Sequence, residues 1–279
     1  MDLLVILLAI PFGLVVGGFV TMLVDRIPDK TPLTTRSRCP FCDHQLGHGD
    51  TVPVLSWFRL KGRCRHCGDR ITPAYPVVEL VTMVLWVAVA ADQGWEWTLL
   101  PPLVLVTSTV GLSVIDLYVY RLPDRLVFPS IGLSLLTMIV AGVGIDRPSA
   151  ITKALGGMAL YGGFLLIMHL ISPRGMGFGD VKLALLLGLH LGWAAGSVWV
   201  GWAPVFRLVF YALLVSCLIG VIGGVLIAIL RRRLSRDVLP DPETVDKGQP
   251  TRLLSQSMPF GPALAAGTVV VVFFVDAIL

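Results

Sequence analysis

The sequence predicts an all-α, polytopic membrane protein with about eight transmembrane helices and one small polar loop rich in cysteine. Three observations lead there. Of 279 residues, 55% are hydrophobic and 14% are charged, and the mean hydropathy is +0.82; a soluble domain of this length carries more charge. Apolar stretches long enough to cross a hydrocarbon core of ~30 Å as helices recur along the whole chain. The one long polar interval in the first third holds four cysteines in two C-x2-C pairs.

Taken in order, the first stretch covers 3–24. It opens Met1-Asp2 without a basic segment and meets no charge until after Val24, so residues 1–24 read as a retained first helix and not a cleaved signal peptide. The polar loop 25–76 follows. Residues 77–230 then form the membrane core, with apolar stretches at 77–91, 98–116, 125–143, 151–171, 182–201 and 208–230; the first of these is short, and 182–201 is interrupted by His190 and glycines. Residues 231–258 contain Pro240, Pro242, Gly248 and Pro250 and read as a flexible linker, its Arg231-Arg232-Arg233 run serving as a stop-transfer anchor. The last helix is expected at 259–279.

Lys and Arg accumulate in loops that stay in the cytoplasm. Nineteen of the 22 Lys and Arg fall in or beside the 25–76, 117–124, 172–181 and 231–258 loops, leaving only Arg147, Lys153 and Arg207 for the opposite side. Eight helices with this bias place both chain ends outside. The net charge of +4 is thereby a topology signal, and no nucleic-acid partner is read from it.

Cys39-Pro40-Phe41-Cys42 and Cys64-Arg65-His66-Cys67 are separated by 21 residues, the spacing of a zinc ribbon. Each knuckle offers two thiolates to one tetrahedral ion. Four protein ligands, Cys39, Cys42, Cys64 and Cys67, fill the coordination shell, so the zinc is structural. A cytoplasmic loop argues against disulfides. His44 and His66 read as surface residues, and Cys217, alone in an apolar helix, as a small core side chain.

Two acids carry the chemistry. Asp116 closes the third helix and Asp180 opens the sixth within Gly175-Met176-Gly177-Phe178-Gly179-Asp180-Val181-Lys182, so counting helices puts both at the cytoplasmic face. A carboxylate at the edge of a membrane helix is costly and its default reading is functional. Two that share a water can divide the work of peptide hydrolysis, one taking a proton and the other polarising the carbonyl.

The segments Ile115-Asp116-Leu117-Tyr118-Val119-Tyr120-Arg121-Leu122-Pro123-Asp124 and Gly177-Phe178-Gly179-Asp180 resemble the two motifs of the type IV prepilin (leader) peptidases. The similarity continues through Gly17-Gly18-Phe19, Asp25-Arg26-Ile27-Pro28, Arg38-Cys39-Pro40, Val54-Leu55-Ser56-Trp57, Gly62-Arg63-Cys64 and Tyr75-Pro76-Val77-Val78-Glu79-Leu80, nearly the whole chain in the family's order. The resemblance implies a bacterial inner-membrane aspartic endopeptidase. It would remove the basic leader from prepilins and pseudopilins at the cytoplasmic face, with Asp116 and Asp180 as the catalytic pair. It further implies N-methylation of the new N-terminus using S-adenosylmethionine, an activity associated with the N-terminal module, here 25–76.

The remaining polar residues admit blander roles. Asp124 opens a helix and is expected to cap it. Glu79 either orients the zinc loop or receives a basic substrate residue, or else reaches back to interfacial water. Lys182 points away from Asp180 by roughly 200° on a helix and reads as a lipid-phosphate anchor. His169 and His190 are expected to hydrogen-bond across the bundle.

Overall fold

The computed structural model describes residues 3–39, 41–173, 175–237 and 259–278. Its α-helices in chain order are α1 (Leu3–Arg26), α2 (Leu55–Arg59), α3 (Ala74–Gln93), α4 (Leu100–Val119), α5 (Asp124–Gly144), α6 (Ser149–Ile171), α7 (Phe178–Val198), α8 (Ala203–Asp237), α9 (Gly261–Phe273) and α10 (Val275–Ile278). Among the described residues there is no strand, only two isolated antiparallel bridges, Arg38 with Gln45 and Arg63 with Arg70. Lipid offers backbone N–H and C=O groups no partner, so a helix that satisfies them internally is the form these apolar runs must take.

Among the described residues seven helices are long and apolar enough to cross a membrane, and the chain is a multi-pass membrane protein. The end of the chain departs from expectation. The stretch 259–279 is not one helix: α9 has 13 residues, about 20 Å at 1.5 Å per residue, and breaks at Phe274 before the single turn of α10. Helix α8 also continues to Asp237, into the segment expected as linker; the rest of that linker, 238–258, lies outside the described residues.

Helix α7 is the axis of the bundle: 72% of its most apolar window is buried, against 11% for α8. The sequence accounts for this. Gly188, Gly192 and Gly196 recur every fourth residue on α7, and a Cβ added at Gly192 or Gly196 would lie 2.8 Å from Ala154 Cα or 2.9 Å from Ala150 Cα of α6. Small residues at this spacing let two helices approach backbone to backbone, and dispersion then holds them. Ser134 on α5 meets His190 Nε2 on α7 at 2.9 Å, so His190 does bind across the bundle. Helix α8, in contrast, turns Phe206, Phe210, Leu214 and Leu218 outward. Cys217 is exposed on this face, a correction to its expected place in the core.

Two ends can be told apart by their contacts. At one, a cavity of about 550 Å³ brings Arg26, which closes α1, and Lys30, just beyond it, beside Arg125 at the start of α5; the cysteine loop and the α4–α5 turn therefore share an end. At the other, Arg147 donates to the Ser197 and Val198 carbonyls at 2.8 and 2.7 Å, and Lys153 donates to the Trp199 carbonyl at 2.5 Å. Those carbonyls close α7, where cations are favoured by the helix dipole. Two of the three basic residues on the side poor in Lys and Arg are thus engaged by a helix end.

Candidate active site and metal centre

Asp116 is built in by the way α4 stops. Tyr120 takes a left-handed conformation (φ 55°, ψ 33°) and returns its N–H to the Asp116 carbonyl, which ends the helix one turn beyond the acid. The chain then runs through Leu122 to an extended Pro123 and re-enters α5. Asp116 is only 6% exposed. Its Oδ2 accepts a hydrogen bond from the Gly261 backbone N–H at 3.2 Å, and among the described residues no cation pairs with it.

Asp180 lies in the first turn of α7, half-buried and within Coulombic range of Asp116. Two contacts explain how the carboxylates come to neighbour one another. A Cβ at Gly179 would stand 3.2 Å from Leu122 Cβ, and one at Gly261 would reach both Asp116 Oδ2 (2.5 Å) and Leu183 Cδ2 (3.6 Å), one turn from Asp180. The missing side chain at 179 is what lets the start of α7 press against the turn that follows Asp116. His169 steadies the approach to that start: its Nδ1 meets the Met176 carbonyl at 2.9 Å, and its ring lies 5.6 Å from that of Phe178.

Two expectations are corrected here. Lys182 is not free to anchor a lipid phosphate; it forms an ion pair with Asp124, joining the start of α7 to the start of α5. Asp124 is the first residue of α5, behind a Pro123 N-cap, and its Oδ1 accepts from the Lys182 ammonium. For Glu79 the alternatives resolve toward orienting the loop: buried on α3, it accepts the Val54 amide on Oε2 at 2.6 Å. Val54 holds φ +61°, a conformation that β-branched residues adopt only when their surroundings enforce it.

The loop between α1 and α3 is organised around its cysteines. In the first knuckle Cys39 N–H bonds the His44 carbonyl at 3.0 Å and Asp43 N–H the Cys39 carbonyl at 2.9 Å; in the second, Cys64 N–H bonds the Asp69 carbonyl at 2.9 Å and Gly68 N–H the Cys64 carbonyl at 3.0 Å. Backbone N–H groups of Cys67 and then His66, aimed at the Cys64 sulfur, lower that thiol to about 7. The four Sγ atoms lie within 4.8 Å of one another, with Cys39–Cys67 at 3.8 Å and Cys42–Cys64 at 4.0 Å. Thiolates ~2.3 Å from a tetrahedral zinc stand about 3.8 Å apart, so the donor set fits such an ion. The rings of His44 and His66 stack at 3.4 Å between centroids, and neither joins the set of four thiols.

The cavity described above runs between α1, α4 and α5, lined by Val20, Leu23, Ser108, Gly111 and Leu126 among others; neither acid lines it. Gly261 is the residue of the site that sequence reading passed over. The signal available was Phe260-Gly261-Pro262, a glycine followed by a helix-starting proline.

Comparison with known proteins agrees with this architecture. The bacterial Peptidase A24 N-terminal domain matches residues 11–93, and the type IV leader peptidase family matches 103–225. The prepilin leader peptidase/N-methyltransferase of Aeromonas hydrophila is 31% identical over 293 residues, covering 96% of this chain and 90% of that protein. The protein of the same name from Bacillus subtilis (strain 168) is 29% identical over 269 residues, covering 96% and 94%. That from Myxococcus xanthus (strain DK1622) is 35% identical over 184 residues, 66% and 55%. No solved structure matches the chain. With one model on the loop and first helices, a second on the bundle that carries both acids, and the Aeromonas and Bacillus relatives matched over at least 90% of their length, the chain belongs to the type IV leader peptidase family of prepilin leader peptidase/N-methyltransferases.

Proposed function

We propose that this chain cleaves the basic leader from type IV prepilins and pseudopilins in the bacterial inner membrane, with Asp116 and Asp180 as its catalytic carboxylates. The observation that carries the reading is the pair itself: a buried acid closing α4 and a half-buried acid opening the central helix, brought within Coulombic range of each other at one end of the bundle. That end carries most of the loop Lys and Arg, which supports a cytoplasmic orientation. The substrate's apolar segment stays in the bilayer while its leader reaches the aqueous end.

In the reaction, one carboxylate takes a proton from water as the oxygen attacks the scissile carbonyl. The other, protonated, donates to the carbonyl oxygen. The tetrahedral diol collapses with proton transfer to the departing amine, releasing the leader acid and the mature N-terminus. No covalent enzyme intermediate forms. The protons belong to the pair, in keeping with acids that titrate together. The new amine is the acceptor for the second activity in the relatives' name, and S-adenosylmethionine is the methyl donor proposed for it, with the 25–76 loop as its module.

Zinc is the ion proposed for Cys39, Cys42, Cys64 and Cys67; four thiolates leave it no open position, so its contribution is to hold the loop. Replacing Asp116 or Asp180 by Asn in a strain that co-expresses a prepilin tests the peptidase reading. Each variant is expected to leave the prepilin at its precursor size, a loss of at least ~10³ in rate for removal of a group that acts only in the transition state. Processing at the parental rate by either variant rules out the dyad.

A further inference from the structure

We propose that Gly261, at the N-terminus of α9, is a positioning residue for Asp116, and that the Phe260-Gly261-Pro262 start of α9 is a third structural element of the active site beside the ends of α4 and α7. The proposal rests on Asp116 being a catalytic acid. A carboxylate on a membrane helix can rotate about two side-chain torsions, and a water-activating acid must present a particular oxygen. Here the choice is made by the backbone. The Gly261 N–H donates to Oδ2 at 3.2 Å, in a buried setting where hydrogen bonds to carboxylates are strong. Oδ1, which has no protein partner among the described residues, is left for water or the scissile group.

Position 261 must also lack a side chain. A Cβ there would come within 2.5 Å of Asp116 Oδ2 and 3.3 Å of its carboxyl carbon, so the methyl of alanine and the native carboxylate orientation cannot coexist. Pro262 supports the arrangement from the other side: a proline in the first turn of a helix loses no intrahelical bond and pre-sets the backbone, so the preceding N–H keeps its aim. The short length of α9 then has a reason: it is a wedge whose N-terminal end meets an acid, not a full membrane crossing.

The test compares two glycines of α9. Gly261→Ala displaces Asp116, whereas Gly267→Ala puts its Cβ 2.2 Å from Ser216 Oγ and 2.7 Å from Ser216 N, a tighter clash with no carboxylate involved. With detergent-solubilised full-length enzyme and prepilin, Gly261→Ala is expected to lower kcat about a hundredfold, the cost of ~1 Å misplacement of a reacting group, with KM within about threefold of the parent. Gly267→Ala is expected to lower the Tm while kcat per folded molecule stays within about threefold.

If both lose kcat equally, or Gly261→Ala keeps it, Gly261 only packs. Should Gly261→Ala not fold, the bond is read directly in a protein that does. Pairing 13C-carbonyl Phe with 15N Gly reports only Phe-Gly junctions, of which there are three, at Gly13, Gly179 and Gly261, and Phe260→Leu identifies the last by removing it. Asp116→Ala should move the Gly261 amide proton upfield and leave Gly13 in place; an unmoved Gly261 signal overturns the proposal. A fully active Asp116→Asn enzyme would instead sink the dyad, so the two failures are distinguishable.

Discussion

Removing the metal should unfold the cysteine loop and leave the helical bundle standing. Among the described residues of 27–73, those that are buried are Cys39, Gly62 and Cys64: two ligands and the glycine against which Trp57 packs at 2.8 Å from a would-be Cβ. Among the described residues of the loop no apolar side-chain core exists to replace the ion. Structural zinc contributes an apparent ~10–16 kcal/mol in small peptides of this kind, so its loss leaves the loop with the Glu79–Val54 bond, the Trp57–Ile71 bond at 3.2 Å and surface ion pairs worth at most ~1 kcal/mol each. These cannot offset the entropy of ordering a segment that long. Nine Lys and Arg between Arg26 and Arg70 make trypsin the assay. In detergent, Cys64→Ser or exhaustive chelation should speed tryptic cutting in this loop by at least ~10³, a conservative fraction of the metal's contribution, while far-UV circular dichroism stays that of a helical bundle. Parental purified protein should carry one metal per chain. Metal-free protein cut at the parental rate would refute the argument that the ion substitutes for a core.

Two further substitutions separate positioning from decoration. Glu79→Gln weakens the 2.6 Å acceptor for Val54 by removing its charge, and Glu79→Ala leaves that amide unsatisfied, at about 1–3 kcal/mol. Val54 then relaxes from φ +61°, and tryptic cutting after Arg59 and Lys61 should rise with the ion still bound; unchanged cutting would mean that Glu79 does not tether the loop. Lys182→Met breaks the ion pair with Asp124, whose side chains are 16% and 59% exposed. A pair open to water is worth at most ~1 kcal/mol, so leader removal should stay within about threefold of the parent, and a hundredfold loss would show that the pair holds Asp180 in place.

The parts of this molecule that could be read along the chain are those whose cause is local. Span length, the C-x2-C spacing and the bias of Lys and Arg each act within one segment, and each reappears in space as α1 and α3 to α8, the four Sγ atoms and the basic end of the bundle. What escaped reading depends on which side of a helix faces protein. In a soluble helix polar residues mark the solvent side, but lipid is as apolar as a leucine core, so nothing in α8 distinguishes Cys217, turned outward, from Ser216, wholly buried beside it. Lys182 and Asp124 were assigned separate local roles because their meeting spans 58 residues.

Burial and partners, and not sequence position, are the grounds for proposing Asp116 rather than Asp124 as the reacting acid of the α4–α5 motif. Asp116 and Asp124 lie on either side of one turn, and each could serve as an acid on composition alone. Asp124 is exposed and pairs with Lys182, which commits its Oδ1 to an ammonium. Asp116 is buried, meets no cation among the described residues, and receives one neutral N–H that orients a single oxygen. An acid in that setting keeps one oxygen available beside Asp180. With Asp116 proposed as the reacting acid, an Asp116→Asn enzyme that still carries Asp124 is expected to gain no leader removal from it: the second acid has the right chemistry but is exposed and already paired.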